Sequence, residues 1–150
     1  MKIAVLGAGK MGISFSKSFL KYELIKAENL HLITRKKDKI EKISKEFPGS
    51  KVSCFEELKE IAADLVILAV KPQDFAFVVE NISVQFNENQ MLLSIMAGIK
   101  IQKIQELFNH QKVVRAMPNS PTLLGMGITG YTAAEGISFQ DLMQIERFLN

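Results

Sequence analysis

Apolar and polar positions along this chain follow two alternating periods. Lys2–Leu6 (KIAVL) is a short apolar run closed by Gly7, the form of a buried strand. Met11, Phe15 and Phe19 then recur every four residues, which predicts one face of a helix ending near Tyr22. Asn29–Thr34 reads as a second strand. Lys36–Phe47 reads as a second helix with Ile40 and Ile43 inward, stopped by Pro48 and Gly49. Lys51–Cys54 predicts a third strand, and Glu56–Ile61 a brief helix. Asp64–Val70 (DLVILAV) is the strongest strand signal, apolar on both faces. Phe75, Val78, Val79 and Ile82 predict a helix, Gln90–Met96 a fifth strand, Ile101–Phe108 a helix and Lys112–Met117 a sixth strand. Gly125–Thr132 is a candidate seventh strand. Ser138–Leu149 closes the chain as a helix with Phe139, Leu142, Ile145 and Leu149 inward.

Strands that are apolar on both faces, alternating with helices, imply an α/β fold: one doubly wound, mostly parallel sheet covered on both sides. No repeat or linker interrupts residues 1–150, which read as one domain. Ligands in such sheets bind outside the carboxyl ends of the strands, near the point where strand order reverses. The residues just after each strand are therefore the place to look.

Composition narrows the field. Apolar residues make up 47% and charged residues 23% of the 150, which excludes disordered and collagen-like classes. No apolar run approaches the length of a membrane span, and Gly7, Gly9 and Lys10 interrupt the N-terminus, so it does not read as a signal peptide. The lone Cys54 has no disulfide partner, and with only His31 and His110 beside it no zinc site can be assembled. A soluble, cytoplasmic protein without a metal is expected. The net charge of +3 is unevenly placed: residues 31–45 carry six bases against two acids, and the rest sums to −1. No aromatic residues interleave with those bases, so neither a nucleic-acid nor a membrane partner is indicated. Most of them read as a solvated helix face.

After the first strand stands Gly7-Ala8-Gly9-Lys10-Met11-Gly12, a G-x-G-x-x-G segment that follows a strand and opens a helix. Gly7 permits the tight turn, Gly9 lets a pyrophosphate approach the backbone, and Gly12 lets the helix pack closely. The alternative is a glycine-rich turn without a ligand. After the second strand, Thr34, Arg35 and Lys36 stand where NAD-binding domains carry an acid, and no acid appears before Asp38. A hydroxyl, a guanidinium and an ammonium suit a 2′-phosphate, so NADP(H) is favoured over NAD(H). The alternative is the solvated start of a basic helix.

Ala69-Val70-Lys71-Pro72 follow the fourth strand, with Lys71 at the crevice and Pro72 in the first turn of a helix. Ala97 and Gly98 bring small residues to the same edge after the fifth strand. Asn119 sits in a stiff Met117-Pro118-Asn119-Ser120-Pro121 turn after the sixth, as a hydrogen-bonding group or a cap. Cys54 reads as a small buried hydrophobe, His31 as structural and His110 as solvated, while Met91, Met96 and Met117 read as core. No nucleophile–base arrangement is visible, so no catalytic residue is assigned, and chemistry is expected to come from a cofactor.

Four motifs in order, GAGKMG at 7–12, AVKPQ at 69–73, SIMAGI at 94–99 and VRAMPNSP at 114–121, resemble the N-terminal domain of pyrroline-5-carboxylate reductases. The resemblance covers essentially the whole chain. It implies a Rossmann-type domain that uses NADPH, with hydride transfer to the C=N carbon of 1-pyrroline-5-carboxylate to give L-proline. It also implies that Gly7, Ala8, Gly9, Lys10, Met11 and Gly12 cradle the pyrophosphate and that Thr34, Arg35 and Lys36 hold the 2′-phosphate. Ala69, Val70, Lys71 and Pro72 would line the ribose and nicotinamide side, Ala97 and Gly98 would stand opposite, and Asn119 would border the substrate. Many members carry an asparagine after the third strand that contacts the adenosine; here Ser53, Cys54 and Phe55 occupy that region.

The family continues into a helical C-terminal domain that makes the dimer and binds the substrate carboxylate. That domain has no counterpart in these 150 residues, so the chain alone is expected to bind cofactor and to reduce little or nothing. Two further readings stand beside this one: an NADP-binding regulatory module without catalysis, and a related imine, hydroxyacid or deazaflavin-linked NADP oxidoreductase.

Overall fold

The computed structural model describes residues 1–118 and 129–149. Seven strands form one sheet in the order β3-β2-β1-β4-β5-β6-β7. They are β1 (Ile3–Leu6), β2 (Leu30–Thr34), β3 (Lys51–Cys54), β4 (Leu65–Leu68), β5 (Met91–Ser94), β6 (Val113–Pro118) and β7 (Thr129–Ala133). The first six run parallel, and β7 pairs antiparallel with β6. Residues 125–128 of the expected seventh strand fall outside the described residues. The helices are α1 (Lys10–Lys21), α2 (Ile40–Glu46), α3 (Phe75–Asn81), α4 (Ile101–Phe108) and α5 (Phe139–Leu149).

Every residue of β1 and β4 is fully buried, because helices cover both faces of the sheet. Alternate strand residues feed two cores. On one side Ile3, Val5, Leu65 and Ile67 meet Phe15 and Phe19 of α1, Ile43 of α2 and Ile145 and Phe148 of α5. On the other, Ala4, Leu6, Val66 and Leu68 meet Phe75 and Val78 of α3 and Ile104 of α4. Phe19 ties the first helix to the last, its ring 5.2 Å from that of Phe148 in an edge-on contact. This is the doubly wound fold that the alternating periods imply.

Four local expectations are corrected. The brief helix at 56–61 is a single 3₁₀ turn, Phe55–Glu57, followed by extended chain. Reach explains it: β3 and β4 lie three positions apart, about 14 Å across the sheet, and the chain must also return along a strand length. Ten helical residues span only ~15 Å.

His110 is buried rather than solvated. Asn109 adopts a left-handed conformation (φ 47°) at the end of α4 and turns the imidazole inward. There Nε2–H donates to the Gln90 carbonyl at 2.8 Å.

Phe139 is 76% exposed, not inward. Ile145, Phe148 and Leu149 define the buried stripe of α5, and a residue six positions before Ile145 is rotated by about 120° from it.

Met117 is half-exposed at the end of β6 rather than core, whereas Met91 and Met96 are buried. Met117 lies near the carboxyl end of β6, where the strand passes out from under its helical cover.

His31 is structural, as its place inside a strand suggests: Nε2 lies 2.8 Å from Ser53 Oγ on the neighbouring β3. Burial, with the Lys51 ammonium adding to it, pushes its pKa from 6.5 down to about 4. The unfolded chain therefore binds a proton across that interval that the native chain does not. Stability falls as pH drops from about 6.5 towards 4. Urea unfolding at stepped pH checks this: His31→Gln should lose less stability over the interval than the wild type, and parallel profiles would contradict it.

Candidate functional site

The sheet reverses its winding between β1 and β4, and a cavity of about 560 Å³ opens there at the carboxyl edge. This is the place and the size range expected of a ligand site in such a fold. Its geometry starts with Gly7. That residue sits at φ +108°, and a Cβ on it would lie 2.7 Å from the Val70 nitrogen and 2.8 Å from the Ala69 carbonyl carbon. The exit of β4 thus passes directly against the exit of β1, where no side chain fits. The amides of Gly7 and Ala8 both donate to the Ile33 carbonyl of β2 at 3.0 Å, which pins the turn on its other side.

Gly9 and Gly12 have opposite surroundings. A Cβ on Gly12 would collide with the Gly7 carbonyl oxygen and stand 3.0 Å from Val5 Cγ1, so α1 can approach the turn only without a side chain there. A Cβ on Gly9 would meet nothing within 4 Å. Gly9 is also the residue that precedes α1, and no side chain caps the helix and no acid stands in its first turn. Gly9, Lys10 and Met11 line the cavity with Gly7 and Ala8. An uncapped helix start with open space above a glycine is the arrangement that accepts a phosphate.

The second wall comes from the end of β2. Thr34 is buried, and its Oγ1 accepts from the Lys36 amide at 3.2 Å, which bends the chain so that Thr34, Arg35 and Lys36 all line the cavity. The Cys54 thiol, itself fully buried, donates to the Arg35 carbonyl at 3.4 Å. Lys39, in the 3₁₀ turn Lys37–Lys39, reaches the same wall. The rest of the basic stretch divides as a solvated face would: Lys37 pairs with Glu56 and Glu57, and Lys45 with Glu41. At the end of β3, Ser53 is engaged by His31 and Cys54 is buried, and of the three residues 53–55 only Phe55, just past the strand, lines the cavity.

Ala69, Val70, Lys71 and Pro72 form the opposite side. They are held by the Ala69 amide on the Leu6 carbonyl (2.9 Å) and by the Ile95 amide on the Leu68 carbonyl (3.1 Å). Ala97 lines the cavity with Ile95, Met96, Met117 and Pro118. Gly12 and Gly98 do not reach it: the first lies beneath the turn, and the second is an exposed turn residue at φ +73°. Asn119 lies outside the described residues.

Lys39, Phe55, Asp74, Ile95, Met96, Met117 and Pro118 are lining residues that strand-end reading alone misses. Lys39 could have been found from its spacing of three from Lys36, which returns a side chain to the same side of a helical turn. Among the described lining residues the cations are Lys10, Arg35, Lys36, Lys39 and Lys71, against one carboxylate, Asp74. Positive charge therefore predominates among the described lining residues.

Residues 2–98 match the protein family described as "NADP oxidoreductase coenzyme F420-dependent". Pyrroline-5-carboxylate reductase of Staphylococcus haemolyticus is 33% identical over 131 residues, which cover 87% of this chain and 48% of that protein. A crystal structure of Plasmodium falciparum pyrroline carboxylate reductase with NADP bound is similar with a TM-score of 0.81 at 27% identity, over 100% of this chain and 54% of its own. Prephenate dehydrogenase from A. aeolicus shares the fold alone, with a TM-score of 0.76 at 16% identity over 99% of this chain and 56% of its own. The chain spans about half the length of the curated relatives it matches.

The glycine geometry makes a direct prediction. Gly9→Ala should fold within about 1 kcal/mol of wild type, since the position is open. Gly7→Ala and Gly12→Ala should each lose more than ~2 kcal/mol through backbone collision. Denaturant midpoints measure all three, and a Gly9→Ala variant as unstable as Gly12→Ala would refute the assignment.

Proposed function

The chain belongs to the family described as "NADP oxidoreductase coenzyme F420-dependent" and matches the N-terminal, NADP-binding half of pyrroline-5-carboxylate reductases, and from that membership we propose that it is the cofactor-binding half of an enzyme that reduces 1-pyrroline-5-carboxylate to L-proline with NADPH. The observation that carries this reading is the pairing of an open, uncapped Gly9 turn with the basic wall of Arg35, Lys36 and Lys39 in one cavity.

The residues present fit the cofactor. The Gly7–Met11 turn, with Gly12 shaping it from below, holds the pyrophosphate by backbone amides where a side chain would intrude. Thr34, Arg35 and Lys36, with Lys39, hold the adenosine 2′-phosphate, and the guanidinium can do so bidentately. Phe55 offers an apolar contact to the adenosine in place of the family's asparagine. Ala69, Val70, Lys71 and Pro72 line the ribose and nicotinamide side, with Ala97 and the Gly98 turn opposite, and Asn119 borders the substrate. When bound, NADPH supplies the hydride for the C=N carbon; the chain's own residues bind and orient it. NADH lacks the 2′-phosphate and is the weaker alternative.

Positioning of the imine is assigned to a C-terminal half such as the longer relatives possess, which would also make the oligomer.

Two measurements on one preparation test the proposal. NADPH should bind at least tenfold more tightly than NADH, and Arg35→Ala with Lys36→Ala should erase the difference without weakening NADH. NADPH oxidation in the presence of 1-pyrroline-5-carboxylate should appear only when the chain is extended by a C-terminal domain of the family type. Equal affinity for the two cofactors would remove the 2′-phosphate assignment. Binding without turnover in the extended chain would leave a regulatory module or a different imine or hydroxyacid substrate.

A further inference from the structure

Asp74 is the one carboxylate among the described lining residues, and it stands on the wall that faces the 2′-phosphate position. It precedes α3 but makes no capping hydrogen bond with its side chain; its amide donates to the Lys71 carbonyl at 2.9 Å. Its carboxylate goes instead to Arg35, with Oδ1 accepting from Nη1 at 3.3 Å. Three residues further on, Phe77 lies under the same guanidinium, 5.5 Å from ring centroid to Cζ, and is itself 46% exposed. Two residues of one short segment therefore hold an arginine that belongs to another strand end.

We propose that Asp74 is a specificity-determining residue that weakens the hold of this site on the 2′-phosphate, by sharing the Arg35 guanidinium with it. The inference rests on the NADP reading of the cavity. Phe77 already orients the guanidinium through its face, which leaves the N–H edges for anions. Asp74 occupies one of those edges through a single long contact, with both side chains partly exposed, so it adds little ordering of its own. Its charge acts at longer range. A phosphomonoester carries close to two negative charges near neutral pH, and placing it on a guanidinium that already holds a carboxylate sets like charges side by side. NADH brings no such charge to that end. Asp74 therefore narrows the gap between the two cofactors, the opposite of what the surrounding cations do.

The test is Asp74→Asn, which keeps size and removes charge. NADPH and 2′-phosphorylated ADP should each bind roughly three- to tenfold more tightly, a gain that shrinks as salt is raised. NADH and unmodified ADP should stay within about twofold, which also shows that the variant is folded. Asp74→Lys should move both comparisons further in the same direction. A wild-type preference for NADPH that Asp74→Asn leaves unchanged, or reduces, overturns the inference alone. A wild type with no preference overturns the reading of the site, and the inference falls with it.

Discussion

The approach of two strand exits, β1 and β4, to the point where no side chain fits between them is the constraint on which this molecule depends. Gly7 lies against the backbone of Ala69 and Val70, and its amide is drawn to the last turn of β2. Three adjacent strands are thereby gathered at their carboxyl ends, and the chain has no choice but to start α1 over the gap. Gly12 completes the arrangement by letting the helix descend onto the Gly7 carbonyl. The open space above Gly9 is what remains once the other two contacts are made. A cavity of this shape follows from backbone packing, and side chains set the charge along its walls.

That charge is concentrated at the ends of β2 and β4. Arg35, Lys36 and Lys39 converge because Thr34 bends its own backbone and Cys54 holds the Arg35 carbonyl from β3. Lys37 and Lys45 of the same stretch pair with Glu56, Glu57 and Glu41 at the surface. A local excess of positive charge thus serves two ends, solvation on one side and a ligand wall on the other. Asp74 sits at the boundary as the single opposing charge among the described lining residues.

Much of this was legible in the residues. Fully apolar strands such as Leu65–Leu68 have one fate in an alternating chain, burial in a parallel sheet, and the glycine turn names its own position because its reasons are local. In the segment after β3 the apolar residues Phe55, Leu58 and Ile61 recur at a near-helical spacing, while the distance to β4 demands an extended path. The exposure of His110 and Phe139 is likewise hidden: one left-handed residue and one rotation about a helix axis decide it, and neither shows in composition. The roles of Asp74 and Phe77 are not legible locally, because the carboxylate acts on a residue thirty-nine positions away, across a crossing that only the sheet order brings together.

The central claim is that one cavity at the carboxyl edge binds a dinucleotide through its backbone turn and reads a 2′-phosphate at the end of β2. Amide chemical-shift mapping of the isotopically labelled chain tests it most directly. Titration with NADP⁺ should shift Gly7–Met11, Thr34–Lys36 and Ala69–Lys71, while NAD⁺ should move the first and third groups and leave the second nearly still. Equal shifts at Thr34–Lys36 with both cofactors, or shifts gathered at the amino edge around Lys2 and Ile61–Asp64, would contradict it.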